Sequence, residues 1–506
     1  MSFENQFLQF FSLSQFLIPF IVLFFEKKGK LISLLHSLGI IGIFLFLLLG
    51  KPGTEISTVF GGWQINQGVQ IKLDTSSVYF ILSASIVFFS TIVYSSQKKY
   101  DRKFFFLIDL VYGTLINLFL SNDLFNMYVC LELTSLISYL LISSKLKNRQ
   151  VWASLKYMIL SAVGFNFYLI GVAMIYRSHG TLNLDLIAIS GNVNDMALIF
   201  IIVALLVKSG TFLFSMWLPS AHSEAEIPIS AILSAVIVKA GIFCLIRTIP
   251  IHETSFMSGF IVYIGLFTMI SGMILAMLQK DIKLILAFST MSQVGYILMG
   301  IYSNGAQYAF CHAIFKSSIF LIIGIIYAHF GTRNIEKIKK SKKKISILVL
   351  ILFSVAYFSI SGMPFFLGYS EKKLILSELP EFIKNMSIVT SVGTAFYLGR
   401  IFSVLIRKCD FKIISIKYFV KNELIAVLFL AIVTLFFGIK NTYGMSIKTP
   451  DILKSVLPVI SGLTLSFIIP FNNSEHFPDK LFNISNILKI YVLIIGFFIA
   501  VLKFAY

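Results

Sequence analysis

Glu132, Lys208, Lys239 and His312 stand inside long apolar runs, and Lys372 follows the break Ser361-Gly362-Met363-Pro364. A charged side chain at mid-bilayer costs roughly 2.5–3.5 kcal/mol on insertion scales, so such residues persist where they find a partner or a wet cavity. Glu132 lies about eight residues into the run 124–144, about 12 Å deep at helical rise. Lys208 and Lys239 occupy the middle of the runs 197–217 and 227–249. The segment between those two lysines carries His222, Glu224 and Glu226, with Pro219 and Pro228. His312 and Lys316 share one helix face at i,i+4. These types suit the passage of protons or cations. A lysine in low dielectric gives up its proton more readily, and a carboxylate brought near restores it. Histidine supplies an intermediate stop near neutrality. Breaks at Pro219 and Pro364 free backbone groups that only a water-lined interior satisfies.

Plainer readings stand beside these. Glu132 and Lys208 also fit one static ion pair, and Lys316 also fits a side chain reaching to the interface. Asp109 is read as solvated near a helix end, and Lys373 as a solvated neighbour of Lys372. His36, His179, His252, His329 and His476 read as span ends, loops or satisfied core positions. Trp63, Trp152 and Trp217 read as interface anchors or packing.

The elements that must hold the ionisable residues are membrane helices. The chain has 506 residues, 57% of them apolar and only 13% charged, with 52 phenylalanines. That charge share is about half what soluble domains carry, which excludes a water-soluble fold, disorder and a disulfide framework. The apolar runs number about fourteen to sixteen, each long enough to span as a helix. The longest polar connection is about 25 residues, too short for an aqueous domain. The fold class expected is an all-α polytopic membrane protein. Acidic Glu4 and the lack of a basic stretch before the first apolar run argue against a cleaved signal peptide.

The net charge of +19 is concentrated in alternate loops, 26–30, 97–103, 145–149, 280–283 and 332–344. The loops between them are neutral or acidic. The positive-inside rule makes the basic set cytoplasmic and places the N-terminus outside, and the same loops suit contact with anionic lipid. Nucleic-acid binding is excluded, because the charge lies in separate short loops without a reading module. Cys130, Cys244, Cys311 and Cys409 are too scattered for a zinc or iron–sulfur site, so no metal site is expected. No Gly-rich phosphate loop follows a strand, and the cofactor expectation is none.

Four blocks carry a family resemblance. They are Leu206-Val207-Lys208-Ser209-Gly210 through Trp217-Leu218-Pro219-Ser220-Ala221-His222 to Val238-Lys239-Ala240-Gly241; Lys280-Asp281-Ile282-Lys283 through Ser292-Gln293-Val294-Gly295; His312-Ala313-Ile314-Phe315-Lys316; and Gly362-Met363-Pro364 through Gly368 to Lys372. From about 100 to 400 the chain resembles the antiporter-like proton-translocating subunits shared by respiratory complex I, Mrp-type sodium/proton antiporters and membrane-bound hydrogenases. The loop Phe60-Gly61-Gly62-Trp63 to Leu73-Asp74, with lysine at 372, is most similar to the D-type branch of the Mrp antiporters. The resemblance implies two inverted five-helix repeats, 104–248 and 258–405, with helices 7 and 12 broken. Helices 1–103 precede them and 406–506 follow. It implies a proton relay of Glu132 on helix 5, Lys208 on helix 7, His222 in the following loop, Lys239 on helix 8, His312 on helix 11 and Lys372 on helix 12. It also implies partner membrane subunits in a hetero-oligomeric bacterial or archaeal plasma-membrane complex, with any redox chemistry left to those partners.

Two departures stand out. Glu226 replaces a proline of the family pattern and puts an extra acid beside His222. Two further apolar segments, 452–470 and 487–504, follow the expected last helix. The function expected is a proton-translocating subunit, with sodium as a possible exchanged ion. The alternatives are a secondary transporter of a small organic solute and a non-conducting scaffold subunit. An enlarged midplane cavity distinguishes the first, and loss of a relay residue the second.

Overall fold

Short polar residues start about a third of the helices. Asp74, Asp101, Asp123, Asn183, Asn194, Asp281 and Asn334 each accept a first-turn backbone N–H with their side chain, satisfying a donor that the helix itself leaves open. The structure, a computed structural model, describes residues 3–468 apart from 26–27, 51–52, 54, 97–99, 192, 253–254, 411–420 and 444–448. The segment 487–504 lies outside the described residues.

The chain opens with α1 (Phe3–Phe24) and α2 (Gly29–Gly50). An antiparallel hairpin, β1 (Ile56–Val59) and β2 (Gln70–Leu73), pairs Ile56 with Leu73. Then come α3 (Thr75–Ser95), α4 (Arg102–Leu120), α5 (Leu124–Ile142), α6 (Asn148–His179), α7 (Leu184–Ser190), α8 (Asp195–Lys208), α9 (Trp217–Glu224) and α10 (Ile227–Ile232). A π-helical turn, Leu233–Ile237, joins α10 to α11 (Lys239–Arg247). The second stretch holds α12 (Ile249–His252), α13 (Ser255–Met277), α14 (Ile282–Met299), α15 (Gly305–Phe330) and α16 (Ile335–Lys340). It continues with α17 (Ile347–Ser361), α18 (Tyr369–Ser377) and α19 (Glu381–Lys408), with β3 (Ile345–Ser346) parallel to β4 (Cys409–Asp410). α20 (Lys421–Tyr443) and α21 (Thr449–Ile468) close the described chain.

Twelve helices among the described residues are long and apolar enough to cross a membrane. Two further crossings are each made by two short helices, α8 with α9 and α17 with α18. With α21 they keep the total within the expected range. The second break, 362–368, contains Pro364 as expected, but the first differs from its expected position. Pro219 lies inside α9, where a first-turn proline is tolerated, and the break itself is 209–216, around Gly210 at φ +63° and Leu213 at φ +73°. Within 366–405, which the sequence reads as one long apolar run divisible into two spans, Tyr369–Ser377 completes the crossing begun by α17 and α19 makes the next one alone.

α15 is buried along its length and forms the axis, while α1 and α2 expose most of theirs at the edge. A helix apolar all round must be enclosed, and α15 is enclosed by α3, α10, α14, α17 and α20. α13 and α14 approach most closely, because Gly265, Gly272 and Gly295 let the two backbones touch. A Cβ on Gly295 would overlap the Met269 backbone N and the Gly265 carbonyl. Small residues at such crossings drive association in lipid. Gly295→Leu is expected to lower stability at or above the upper end of the roughly 1–3 kcal/mol typical of overpacking, read as a lower melting temperature of the detergent-solubilised protein.

One clasp occurs twice. Leu124 N–H donates to Leu182 O at 3.0 Å and Leu184 N–H to Asn122 O at 3.1 Å, tying the cap of α5 to that of α7. Ile282 N–H donates to Arg333 O at 2.9 Å and Ile335 N–H to Lys280 O at 3.1 Å, tying α14 to α16 in the same way. The first clasp sits at the hairpin end, where Gln70 Oε1 accepts from Asn122 and Asn183, both at 2.7 Å. The second sits at the opposite, basic end, with Arg333 paired to Asp281 at 3.2 Å.

α21 packs along α19, with Gly462 against Val392 O and Ala395. The described part of the extra apolar segment, 452–468, therefore packs against α19.

Candidate functional site

Lys208 ends α8 at the break, and its Nζ donates to the hydroxyls of Ser135 and, at 2.9 Å, Tyr157. The Tyr157 and Phe165 rings lie 5.4 and 5.9 Å from the ammonium. Tyr157 is held flat against Trp217, centroid to centroid 4.0 Å, and Trp217 Nε1 donates to the freed Val207 carbonyl at 3.1 Å. Trp217 is thus wholly buried packing. Thr211 Oγ1 donates to Leu206 O and Phe212 N–H to Thr268 Oγ1, so side chains satisfy two of the backbone groups at the break.

Glu132 stands one helical turn before Ser135 on α5. It is within electrostatic reach of Lys208, yet the two form no ion pair within 4 Å, and Glu132 Oε2 is buried without a protein partner. The static-pair reading is therefore corrected: hydroxyls hold the lysine, and the carboxylate waits beside it. Glu132 also borders an exposed apolar stripe of α5, with Val129 and Leu136.

α11 crosses α8 where Gly241 meets Ser209 Oγ and Leu205 O, which brings Lys239 in beside the Lys208 break. Lys239 follows the π-helical turn after Val238, and its Nζ folds back onto the carbonyl of Ala235. A π turn disrupts the regular ladder and recurs at functional sites; here the lysine occupies a carbonyl inside that turn. His312 on α15 lies within electrostatic reach of Lys239, Lys316 and Lys372. Both of its ring nitrogens are buried and partnerless, and Phe315 packs edge-on at 5.5 Å. Lys372 reaches back across the second break, donating to Ile360 O at 2.9 Å with the Tyr296 ring 4.6 Å away. Five of the six expected residues thus form a row of two linked groups, Glu132 with Lys208 and Lys239 with His312 and Lys372, which the α8–α11 crossing brings side by side.

The sixth, His222, stands on a side branch and on α9 itself, not in a loop. It is buried, both nitrogens are partnerless, and it stacks on Phe320 at 5.4 Å. Of the two lysines beside it, the sequence leaves Lys316 open between two readings and places Lys283 in a basic loop. Lys316 does not reach the interface: it is fully buried, donating to Leu286 O at 2.9 Å and to Ser289 Oγ. The i,i+4 pairing with His312 was the signal for it. Lys283, read as part of a basic loop, is buried at 4% exposure and donates to Ala225 O and, at 3.3 Å, Ser230 Oγ. It acts with Gln150 and Arg333, which donate to Glu224 O and Ser223 O. Together they complete the carbonyl end of α9, where a helix favours cations. Glu226 turns to the basic rim instead of His222, pairing with Lys145.

No lysine of the row is within 4 Å of a carboxylate among the described residues. Each is lodged at a local interruption of a helix, so its positive charge is met by hydroxyls and carbonyls whose hold does not depend on a countercharge.

The transmembrane family of the NADH:quinone oxidoreductases and Mrp antiporters matches residues 121–397, a stretch containing every residue of the row. The chain is 30% identical over 422 residues to the D-type Na(+)/H(+) antiporter subunit of Alkalihalophilus pseudofirmus, covering 77% of this chain and 84% of that protein. It is 30% identical over 491 residues to the putative antiporter subunit mnhA2 of Staphylococcus aureus, covering 86% of this chain and 60% of that longer protein. Among solved structures, the Mrp complex from Dietzia has a chain that superposes with a TM-score of 0.76 at 19% identity, over 92% of this chain and 99% of that one. A chain of an archaeal membrane-bound sulfane sulfur reductase superposes at 0.75 with 22% identity, over 90% and 99%. The chain belongs to the transmembrane family of the NADH:quinone oxidoreductases and Mrp antiporters.

Proposed function

We propose that the chain is a proton-translocating subunit of a multisubunit antiporter of the Mrp type, exchanging protons for sodium. The observation that carries this reading is the row of buried lysines without carboxylate partners, joined by histidines whose ring nitrogens have no protein partner. Buried polar atoms of this kind are completed by water, and water between protonatable groups conducts protons. Lys372 ends the row one helical turn from Ile375, which lines a cleft of ≈ 470 Å³ with Met299, Tyr302 and Glu378. That cleft gives the row an opening at the hairpin end.

The segments 104–248 and 258–405 act as two inverted halves in this reading. The repeated clasp at opposite ends supports it, as does the break in one crossing of each half. The basic end is cytoplasmic and α1 starts outside. The cations of the hairpin end support this orientation, because Lys72 and Arg247 are neutralised there by Asp185 at 3.6 Å and by Asp74. The binding of protons and sodium, and the partner membrane subunits, follow from the antiporter relatives. Glu132, beside the exposed stripe of α5, is where a neighbouring subunit meets the row.

The complete complex, reconstituted in proteoliposomes with a pH-sensitive dye, tests this. An imposed sodium gradient is expected to drive proton movement in the opposite direction, and Glu132→Gln to suppress it strongly. A wild-type complex that dissipates the sodium gradient without moving protons overturns the reading.

A further inference from the structure

A second set of protonatable groups lies outside the row, between α1, α2 and α4. Asp109, which the sequence places near a solvated helix end, is 1% exposed. One carboxylate oxygen accepts from Ser33 Oγ, and the other has no protein partner. One turn along α2, His36 Nε2 meets Gln15 Oε1 at 3.0 Å, its Nδ1 is buried and partnerless, and its ring stands edge-on to Tyr112 at 5.3 Å. Further along, Ser12 Oγ donates to Asn117 Oδ1, and Gln9 Nε2 donates to Thr58 Oγ1 at 3.0 Å and Val59 O at 2.7 Å in the hairpin. Polar side chains therefore succeed one another from near the basic end to the hairpin.

Polar pairs between membrane helices often serve as glue, and that accounts for Ser12 with Asn117 and Gln9 with Thr58. It does not account for Asp109 and His36. Both are ionisable, and each keeps one buried atom that no protein group satisfies, which as mere glue is a net cost. The approach to Asp109 is also shaped. A cleft of ≈ 460 Å³, lined by Val22, Gly29, Lys30, Asp101, Arg102 and Phe105, opens at the basic end. Phe105 is one helical turn before Asp109, and Gly29 O lies 3.2 Å from the same Ser33 hydroxyl.

The charged groups on the elements packed against α4 leave Asp109 to itself. On α1, Glu4 lies at the far end; Lys72 of β2 and Arg247 of α11 are paired at the hairpin; Glu132 of α5 and Lys239 of α11 belong to the row. On α3, Tyr94 is directed at Gly324 of α15. Tyr112 donates to Ser85 Oγ at 2.7 Å. There remain His36 and Lys30 of α2, the latter held by Ser96 O at 3.3 Å on the rim of the cleft, with Arg102 and Lys103 at the start of α4. An alkali cation is a poor fit, since it needs several converging oxygens, whereas a carboxylate followed by an imidazole suits a proton.

We propose that Asp109, with His36 behind it, is a second proton-binding site, separate from the central row and loaded through the cleft at the basic end. It does not rest on the antiporter reading, because binding is read without transport. Infrared difference spectra of the purified complete complex, titrated in H₂O and D₂O, test it. The wild type is expected to show a carboxylic-acid C=O band that titrates and shifts in D₂O. Asp109→Asn loses that band and Asp109→Glu restores one. Ser33→Ala keeps the acid but removes its hydrogen-bond donor, and is expected to move the band; this variant serves if Asp109→Asn fails to assemble. Identical spectra for the wild type and Asp109→Asn, a band indifferent to pH and D₂O, or one unmoved in Ser33→Ala overturns the proposal.

Discussion

Lys208→Arg is expected to abolish coupled ion exchange in the assembled complex although it keeps a positive charge where Lys208 had one. The environment of Lys208 makes this the sharper test than truncation. Its ammonium is held by the Ser135 and Tyr157 hydroxyls and by the Tyr157 ring, with Glu132 near but not bonded. Those contacts tolerate either protonation state of a lysine, so the proton can leave and return as the Glu132 charge is strengthened or weakened. A guanidinium satisfies the same hydroxyls but never deprotonates under physiological conditions. Lys208→Ala is also expected to stop exchange, but it removes charge and packing together. Tyr157→Phe removes one hydrogen bond to a charged group, worth about 1.5–3 kcal/mol, and is expected to slow exchange without ending it. Proton movement driven by a sodium gradient in proteoliposomes reads all three. Wild-type exchange in a fully assembled Lys208→Arg complex would mean that Lys208 supplies a fixed charge and carries no proton.

Glu132, Lys208, Lys239, His312 and Lys372 were legible because each is costly at its depth, and depth along a helix can be read by counting residues. What counting cannot supply is direction around the helix and the course of the neighbours. Lys283 is the second residue of α14, and by position alone it belongs to the loop. Ala225 and the start of α10 lie over it and give it a carbonyl and the Ser230 hydroxyl in place of water. Asp109 is seven residues beyond the start of α4, and only the packing of α1 and α2 against that face removes it from solvent. Lys316 was open between two readings because its face was known but not that α15 is the enclosed axis. The hairpin Ile56–Val59 with Gln70–Leu73 went unread for another reason: each strand has four residues, too few for a period of two to stand out from an irregular loop. The breaks were expected from prolines, yet the first is made at Ser209 and Gly210. There positive φ and the Trp217 bond to Val207 O do what Pro219, two residues inside a new helix, does not.

His312→Leu is expected to leave the protein at least as stable as the wild type while stopping exchange, a combination that separates a relay residue from a structural one. His312 is buried in the axial helix α15 with neither ring nitrogen bonded to protein. An imidazole completed only by water holds that water at a cost of about 0–2 kcal/mol, and leucine of similar volume in the same apolar surroundings removes that cost along with the water. Its nearest ring, Phe315, accepts an aliphatic neighbour as readily as an imidazole edge. The protein therefore tolerates here a polar group that does nothing for its own stability, which is expected where function opposes stability. The function is position: His312 is the only group of the row within electrostatic reach of both Lys239 and Lys372, so removing its imidazole parts the Lys208–Lys239 half from the cleft beyond Lys372. The measurements are the melting temperature of the purified complex and sodium-driven proton movement on the same preparation. Retained exchange would route the proton past His312, through Lys316. Loss of exchange together with a clear fall in melting temperature would make His312 a packing residue.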